Sequence, residues 1–170
     1  VYILILPAFG LVSEVISEYC SYKLLGYKVM VWSMLAIAFL GCLVWGHHMY
    51  TVGMDTDTKC YFTLATSLIA VPTGLKILLW LASILNSDLK FNVPFSFSLL
   101  FIFTFTFGGL TGVWLAQAGL DLLLHDTYFV VAHFHYVLAV SLVYMFFAAV
   151  YNWFYFITGF NYNETCARVH

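Results

Sequence analysis

Charge is what this sequence has least of. Only 8% of its 170 residues are Asp, Glu, Lys or Arg and 64% are hydrophobic, whereas an ordinary soluble domain carries about 25% charged residues. So little polar surface cannot wrap a water-soluble core, and a membrane protein is the class that remains. A net charge of −2 argues against nucleic acid as a partner. There is no Gly-rich phosphate loop, low-complexity tract or internal repeat. An initiator Met and a signal peptide are lacking too: the first residues, VYILILPAFG, already read as the middle of an apolar segment, as expected of an incomplete piece of a longer protein. The four cysteines, Cys20, Cys42, Cys60 and Cys166, have no metal-ligand spacing, and Cys42 lies within an apolar run. They read as buried small hydrophobes rather than disulfides or thiolate ligands.

What the sequence does have is long apolar stretches, five of them, parted by short polar loops. Residues 1–17 are broken only by Glu14, residues 29–54 carry no charge, residues 60–86 carry only Lys76, and residues 91–120 and 127–163 carry none. The last four each exceed the roughly 20 residues a helix needs to cross a bilayer. A membrane barrel would alternate apolar and polar positions over about ten residues, and no such alternation is present. The aromatic run FSLLFIFTFTF, residues 97–107, has strand-like composition, but an isolated strand cannot satisfy its backbone in lipid. The expected fold is therefore all-α, a polytopic bundle of five transmembrane helices forming one region over residues 1–170.

Alternating the segments puts Glu18, Lys23, Lys28, Asp88, Lys90, Glu164 and Arg168 on one side of the membrane, and Asp55, Asp57, Lys59, Asp121 and Asp126 on the other. Lys and Arg concentrate on the first side, which makes it the inner one. Five of the six histidines then gather at a single depth in the outer half: His47 and His48 near the outer end of the second helix, His125 in an outer loop, and His133 and His135 in the fifth. Any one could be a hydrogen-bonded packing residue. Five at one level point to metal or cofactor ligation, since ionisable groups in the membrane are costly and mark function. Residues i and i+2 of a helix lie about 200° apart, so His133 and His135 face opposite ways and imply two centres flanking one helix. Imidazole among Phe and Tyr suits heme iron or copper. His47 and His48, about 100° apart on a helix, can converge on one ion at its edge. Two hemes and one copper is the economical count.

The stretches VYILILPAFG, VWGHHMYTVGMDTDT, VPTGLK and LHDTYFVVAHFHYVL closely resemble subunit I of the heme-copper oxidases of the aa3 type, across nearly the whole chain and over about the sixth to tenth of that family's twelve helices. The resemblance implies an oxidoreductase that reduces O2 to water at a heme-copper centre with electrons from cytochrome c, coupled to proton translocation. By it, His133 is the axial ligand of the high-spin heme a3, His135 one axial ligand of the low-spin heme a, and His47 and His48 are two of three copper B ligands. The third copper histidine, the second heme a ligand and a proton-passing glutamate would lie outside these residues. Tyr2 matches a tyrosine that supplies an electron and a proton for O–O cleavage. Lys76, whose plain reading is a lysine snorkelling to the inner interface, becomes a proton-uptake residue with Thr73 and Ser13 as companions, and Pro72 and Gly74 would loosen the helix to admit water. His125 and Asp126, otherwise a solvated loop pair, become ligands of a magnesium ion.

Implied partners are the copper-bearing subunit II, subunit III, cytochrome c, O2 and the lipid bilayer; the implied location is the mitochondrial inner membrane, ahead of a bacterial plasma membrane. A quinol oxidase of the same superfamily is the nearest alternative, and Asp126 weighs against it. A transporter or channel would line a path with polar residues through several helices rather than mass histidines at one depth. A cytochrome b-like electron carrier would clasp each heme between paired histidines and need no adjacent His47 and His48.

Overall fold

The computed structural model describes residues 1–20, 23–89 and 91–170; Lys90, one of the inner-side charges, lies outside them. The chain is an all-α bundle, in order α1 (Tyr2–Tyr19), α2 (Tyr27–Gly41), a short 3-10 turn (Trp45–Met49), α3 (Thr56–Leu68), α4 (Ala70–Leu85), α5 (Val93–Leu115), α6 (Ala118–Leu124), α7 (Tyr128–Phe134), a π-helical turn (His135–Val140), α8 (Ser141–Thr158) and α9 (Glu164–Val169). Among the described residues there is no strand. Gly26, in the left-handed region at φ 63°, leads into α2, and Gly159 at φ 75° ends α8, conformations a side chain would strain. Asp55, Thr127 and Asn163 cap α3, α7 and α9 with their side-chain oxygens, satisfying amides that open each helix.

Among the described residues, four spans are long and apolar enough to cross a membrane: α1, α3 with α4 (Thr56–Leu85, 30 residues), α5, and α7 through α8 (Tyr128–Thr158, 31 residues). The stretch 29–54, expected as one long helix, departs from that expectation. It divides into a 15-residue α2, a turn, and the 3-10 turn that carries His47 and His48. Hydropathy cannot separate the two, because both are apolar. Nor are all the cysteines buried: Cys20 is, whereas Cys42, Cys60 and Cys166 are exposed.

The interruption between α3 and α4 has a sequence cause. Pro72 has no amide hydrogen for the carbonyl of residue i−4, which is Leu68, the last residue of α3. The helix restarts at Ala70, with the Thr73 hydroxyl donating to the Ile69 carbonyl at 2.8 Å. In the last span the Ser141 hydroxyl donates back to the Tyr136 carbonyl, holding the π-helical widening that begins at His135.

The core is aromatic. Phe9 of α1 meets Trp80 edge-on with ring centres 5.5 Å apart, and Phe105 at 5.1 Å. The α5 and α8 helices join through stacked Phe97 and Tyr151 and through a 2.9 Å bond between the Thr104 and Ser141 hydroxyls. Many other large apolar side chains are exposed, among them Ile3 at 89% and Leu85 at 85%. That surface suits lipid or neighbouring helices, not water.

Candidate functional site

The histidines are positioned by close backbone approaches. Gly112 of α5 stands where a Cβ would come within 2.6 Å of the His133 ring, and Gly108, one turn earlier, where a Cβ would come within 2.8 Å of Val137. These two glycines let the last span settle on α5. His133 Nδ1 lies 2.7 Å from the Gly108 carbonyl and 3.3 Å from the Thr111 hydroxyl. A carbonyl only accepts, so Nδ1 carries the hydrogen and donates, and Nε2 keeps its lone pair for a metal. His135 makes the same arrangement within its own helix, Nδ1 to the Val131 carbonyl at 2.8 Å, while its exposed ring stacks on Phe134. His133 thus faces α5 and His135 faces away from it, the separation the i, i+2 spacing predicts.

His47 and His48 are neighbours on a 3-10 turn, where successive side chains diverge by about 120° rather than the α-helical angle expected. Their ring centres are 4.2 Å apart. Gly46 makes the turn possible: a Cβ there would fall 2.3 Å from the Phe62 ring of α3. His47 Nδ1 lies 3.2 Å from the Thr66 hydroxyl. The structure thus brings together two of the histidines that the sequence placed at one depth, and holds His133 against α5. Among the described residues, no group of three His, Cys, Asp or Glu side chains is arranged to hold a metal alone. The donor set is nonetheless of the right kind for heme iron or copper: imidazoles, two with Nδ1 engaged on a carbonyl, in an apolar surround.

Lys76 is completely buried. Its ammonium is 3.7 Å from the Met30 sulfur and faces the rings of Trp80 at 5.1 Å and Phe9 at 5.4 Å. It does not snorkel. Ser13 is one residue removed from it, accepting from the Trp80 indole at 3.0 Å and donating to the Phe9 carbonyl at 2.8 Å. The Thr73 hydroxyl is committed to Ile69. Tyr2, half-buried, packs its ring on Gly41 at the end of α2, where a Cβ would stand 2.8 Å away.

Between α6 and α7, His125 lies between two carboxylates, Asp121 at 3.1 Å from Nδ1 and Asp126 at 3.7 Å from Nε2. Asp121 is buried and Asp126 is 94% exposed, at a positive φ of 56°. Carboxylate oxygens are the donor type that a hard cation such as magnesium takes, but these two approach opposite ring nitrogens and do not converge with His125 on one point. Sequence reasoning passed over Asp121, although its i, i+4 relation to His125 was a usable signal. It also passed over Thr66, Thr111, Gly108 and Gly112, for which no local pattern exists.

The family model for the cytochrome c and quinol oxidase polypeptide I matches residues 1–170. The chain is similar to cytochrome c oxidase subunit 1 of Pecten maximus, 52% identical over 171 residues covering 100% of this chain and 36% of that protein. It is 49% identical to cytochrome c oxidase subunit 1 of Yarrowia lipolytica over 170 residues, 100% of this chain and 32% of that protein. With the protein of the same description in Eremothecium gossypii it shares 47% identity over 169 residues, 99% of this chain and 32% of that protein. The chain therefore spans about a third of the length of the curated relatives it matches.

Proposed function

The chain belongs to the cytochrome c and quinol oxidase polypeptide I family, and on that premise we propose that it is part of the catalytic subunit of an aa3-type terminal oxidase. In this reading residues 1–170 form one membrane region of a subunit that reduces O2 to water with electrons from cytochrome c and moves protons across the membrane. The observation that carries it is the contact of the His47 and His48 rings, together with a His133 fixed so that Nε2 is free. When bound, the hemes and copper supply the redox chemistry, passing electrons to O2.

The chain's own residues hold and orient these groups. His133 would hold heme a3, His135 would hold heme a on the opposite face, and His47 and His48 would hold copper B with a third histidine from outside the described residues. The apolar surround excludes water and sharpens every charge in the site. Tyr2, against α2, would donate a proton and an electron at its phenolic oxygen. Protons would reach it from the inner side by way of Lys76, whose ammonium lies in an apolar pocket formed by Met30, Phe9 and Trp80. Ser13 and Thr73 line that approach, and the helix break ahead of Pro72 leaves backbone carbonyls that water can use. By family membership alone, His125 and Asp126 would hold magnesium.

Partners in this reading are the copper-bearing subunit II, subunit III and cytochrome c, in the mitochondrial inner membrane. Asp126 and the cytochrome c oxidase names of the relatives favour cytochrome c over quinol as donor. The test is an optical spectrum, reduced minus oxidised, with iron and copper counts on the purified complex containing this chain. Two hemes and a copper beyond those of subunit II are expected. A complex without heme would overturn the reading and favour a transporter.

A further inference from the structure

Lys76 carries its ammonium on a long, flexible stem, yet the group is completely buried. Among the described residues its hydrogen-bond acceptor is the Met30 sulfur at 3.7 Å. A thioether is a weak acceptor and cannot by itself replace the water that an ammonium loses on burial. The other partners are rings. Nζ stands 5.1 Å from the Trp80 ring centre and 5.4 Å from that of Phe9. Both distances lie within the roughly 6 Å at which a ring face attracts a cation, and the attraction strengthens where water is excluded. Of the two, indole is the stronger partner for a cation.

Trp80 is held for that contact by groups other than Lys76. The Ser13 hydroxyl on α1 donates to the Phe9 carbonyl at 2.8 Å. Its one hydrogen is thereby committed, so its oxygen is left to accept, and the Trp80 indole N–H donates to it at 3.0 Å. Around the ring, Phe9 meets Trp80 edge-on at 5.5 Å and Phe101 of α5 does so at 6.2 Å. The fully buried indole therefore cannot tip without breaking its bond to α1 or displacing an aromatic neighbour. Trp80 also follows Lys76 by four residues on α4, so the two side chains share a helix face.

We propose that Trp80 is a positioning residue for proton uptake: pinned by Ser13, its ring face holds the Lys76 ammonium in place against α1. The proposal deepens the reading of Lys76 as the proton-uptake residue and rests on it. The step itself moves only a proton, which the ammonium gives up toward Tyr2 and regains from the inner side. Ser13 then has a second task, holding the indole that holds the lysine.

The test uses the intact oxidase complex carrying Trp80→Phe, Trp80→Met or Lys76→Met. Proton uptake is followed with a pH-indicator dye, and heme content and the carbon monoxide difference spectrum are read on the same preparations. Trp80→Phe and Trp80→Met both shrink the side chain and both lose the bond to Ser13, but only Phe keeps a ring face. Trp80→Met should slow uptake roughly tenfold or more with both hemes in place, and Trp80→Phe should stay within about threefold of wild type. A space-filling role would not separate the two. Wild-type uptake in Trp80→Met, or a Trp80→Phe as slow as Trp80→Met, would overturn the inference. Should Trp80→Met fail to assemble, fluorotryptophan decides, incorporated in the wild-type complex and in Trp80→Phe. Fluorine draws electron density from the ring face with little change of shape, so uptake should slow with fluorine number in the wild type and not in Trp80→Phe; any other pattern would overturn the inference. Wild-type uptake in Lys76→Met would instead overturn the reading of Lys76.

Discussion

At the scale of single residues, the site depends on what is missing as much as on what is present. Gly112 leaves the space that the His133 ring fills. Gly112→Ala should push the ring off the Gly108 carbonyl and lower heme content in the purified complex, whereas Gly109→Ala, with open space at its Cβ position, should leave heme content at the wild-type level. Equal heme in both variants would contradict the close approach. Lys76 offers the complementary case of a charge enclosed by Met30, Phe9 and Trp80. Lys76→Met should keep both hemes yet slow proton uptake by tenfold or more in a flow-flash measurement, and unchanged uptake would return Lys76 to a packing role.

Much of this site was legible residue by residue. The separate facing of His133 and His135 follows from helical geometry once the span is known to be helical, and the burden of a lysine in an apolar run marks Lys76. Thr66 and Asp121 were not legible as site residues. A threonine in a membrane helix usually bonds to its own backbone, as Thr73 does, and the contact that makes Thr66 different crosses between elements 19 residues apart in sequence.

At the scale of elements, hydropathy identified where apolar chain runs but not how it is wound. The stretch 29–54 is uniformly apolar, so nothing in it announced that α2 stops at Gly41 and that a 3-10 turn takes over. The break between α3 and α4, by contrast, is written in Pro72, and the widening at His135 is held by Ser141, a residue whose role only the fold reveals. Pro72→Ala should let α3 and α4 fuse; the expected result is full heme content with slower proton uptake, and wild-type uptake would show that the break has no part in it. Asp55, at the start of α3, is held below the usual carboxylate range by the hydroxyl and amide of Thr58. Its folded-state value is depressed, so its contribution to stability is present above the unfolded value of about 3.9 and fades as pH falls through the lower folded one. Asp55→Asn should remove that acid-side dependence from the unfolding profile; an unchanged profile would rule out the cap as its source.

At the scale of the whole molecule, much of the surface is apolar. His133 packs against α5, the interior between α1, α4 and α5 is closed by Phe9, Trp80, Phe101 and Phe105, and the remaining faces expose large apolar side chains. An apolar groove between α1 and α8, lined by Leu4, Pro7, Ala8, Leu142 and Phe146, is one such face. The chain covers about a third of its relatives' length.

The central claim is that one helix serves two centres, with His133 and His135 on opposite faces. The most direct test is the carbon monoxide difference spectrum of the purified complex carrying His133→Ala. The account predicts that the carbon monoxide-binding band disappears while the low-spin heme band stays. Loss of both bands together, or survival of the carbon monoxide band, would contradict it.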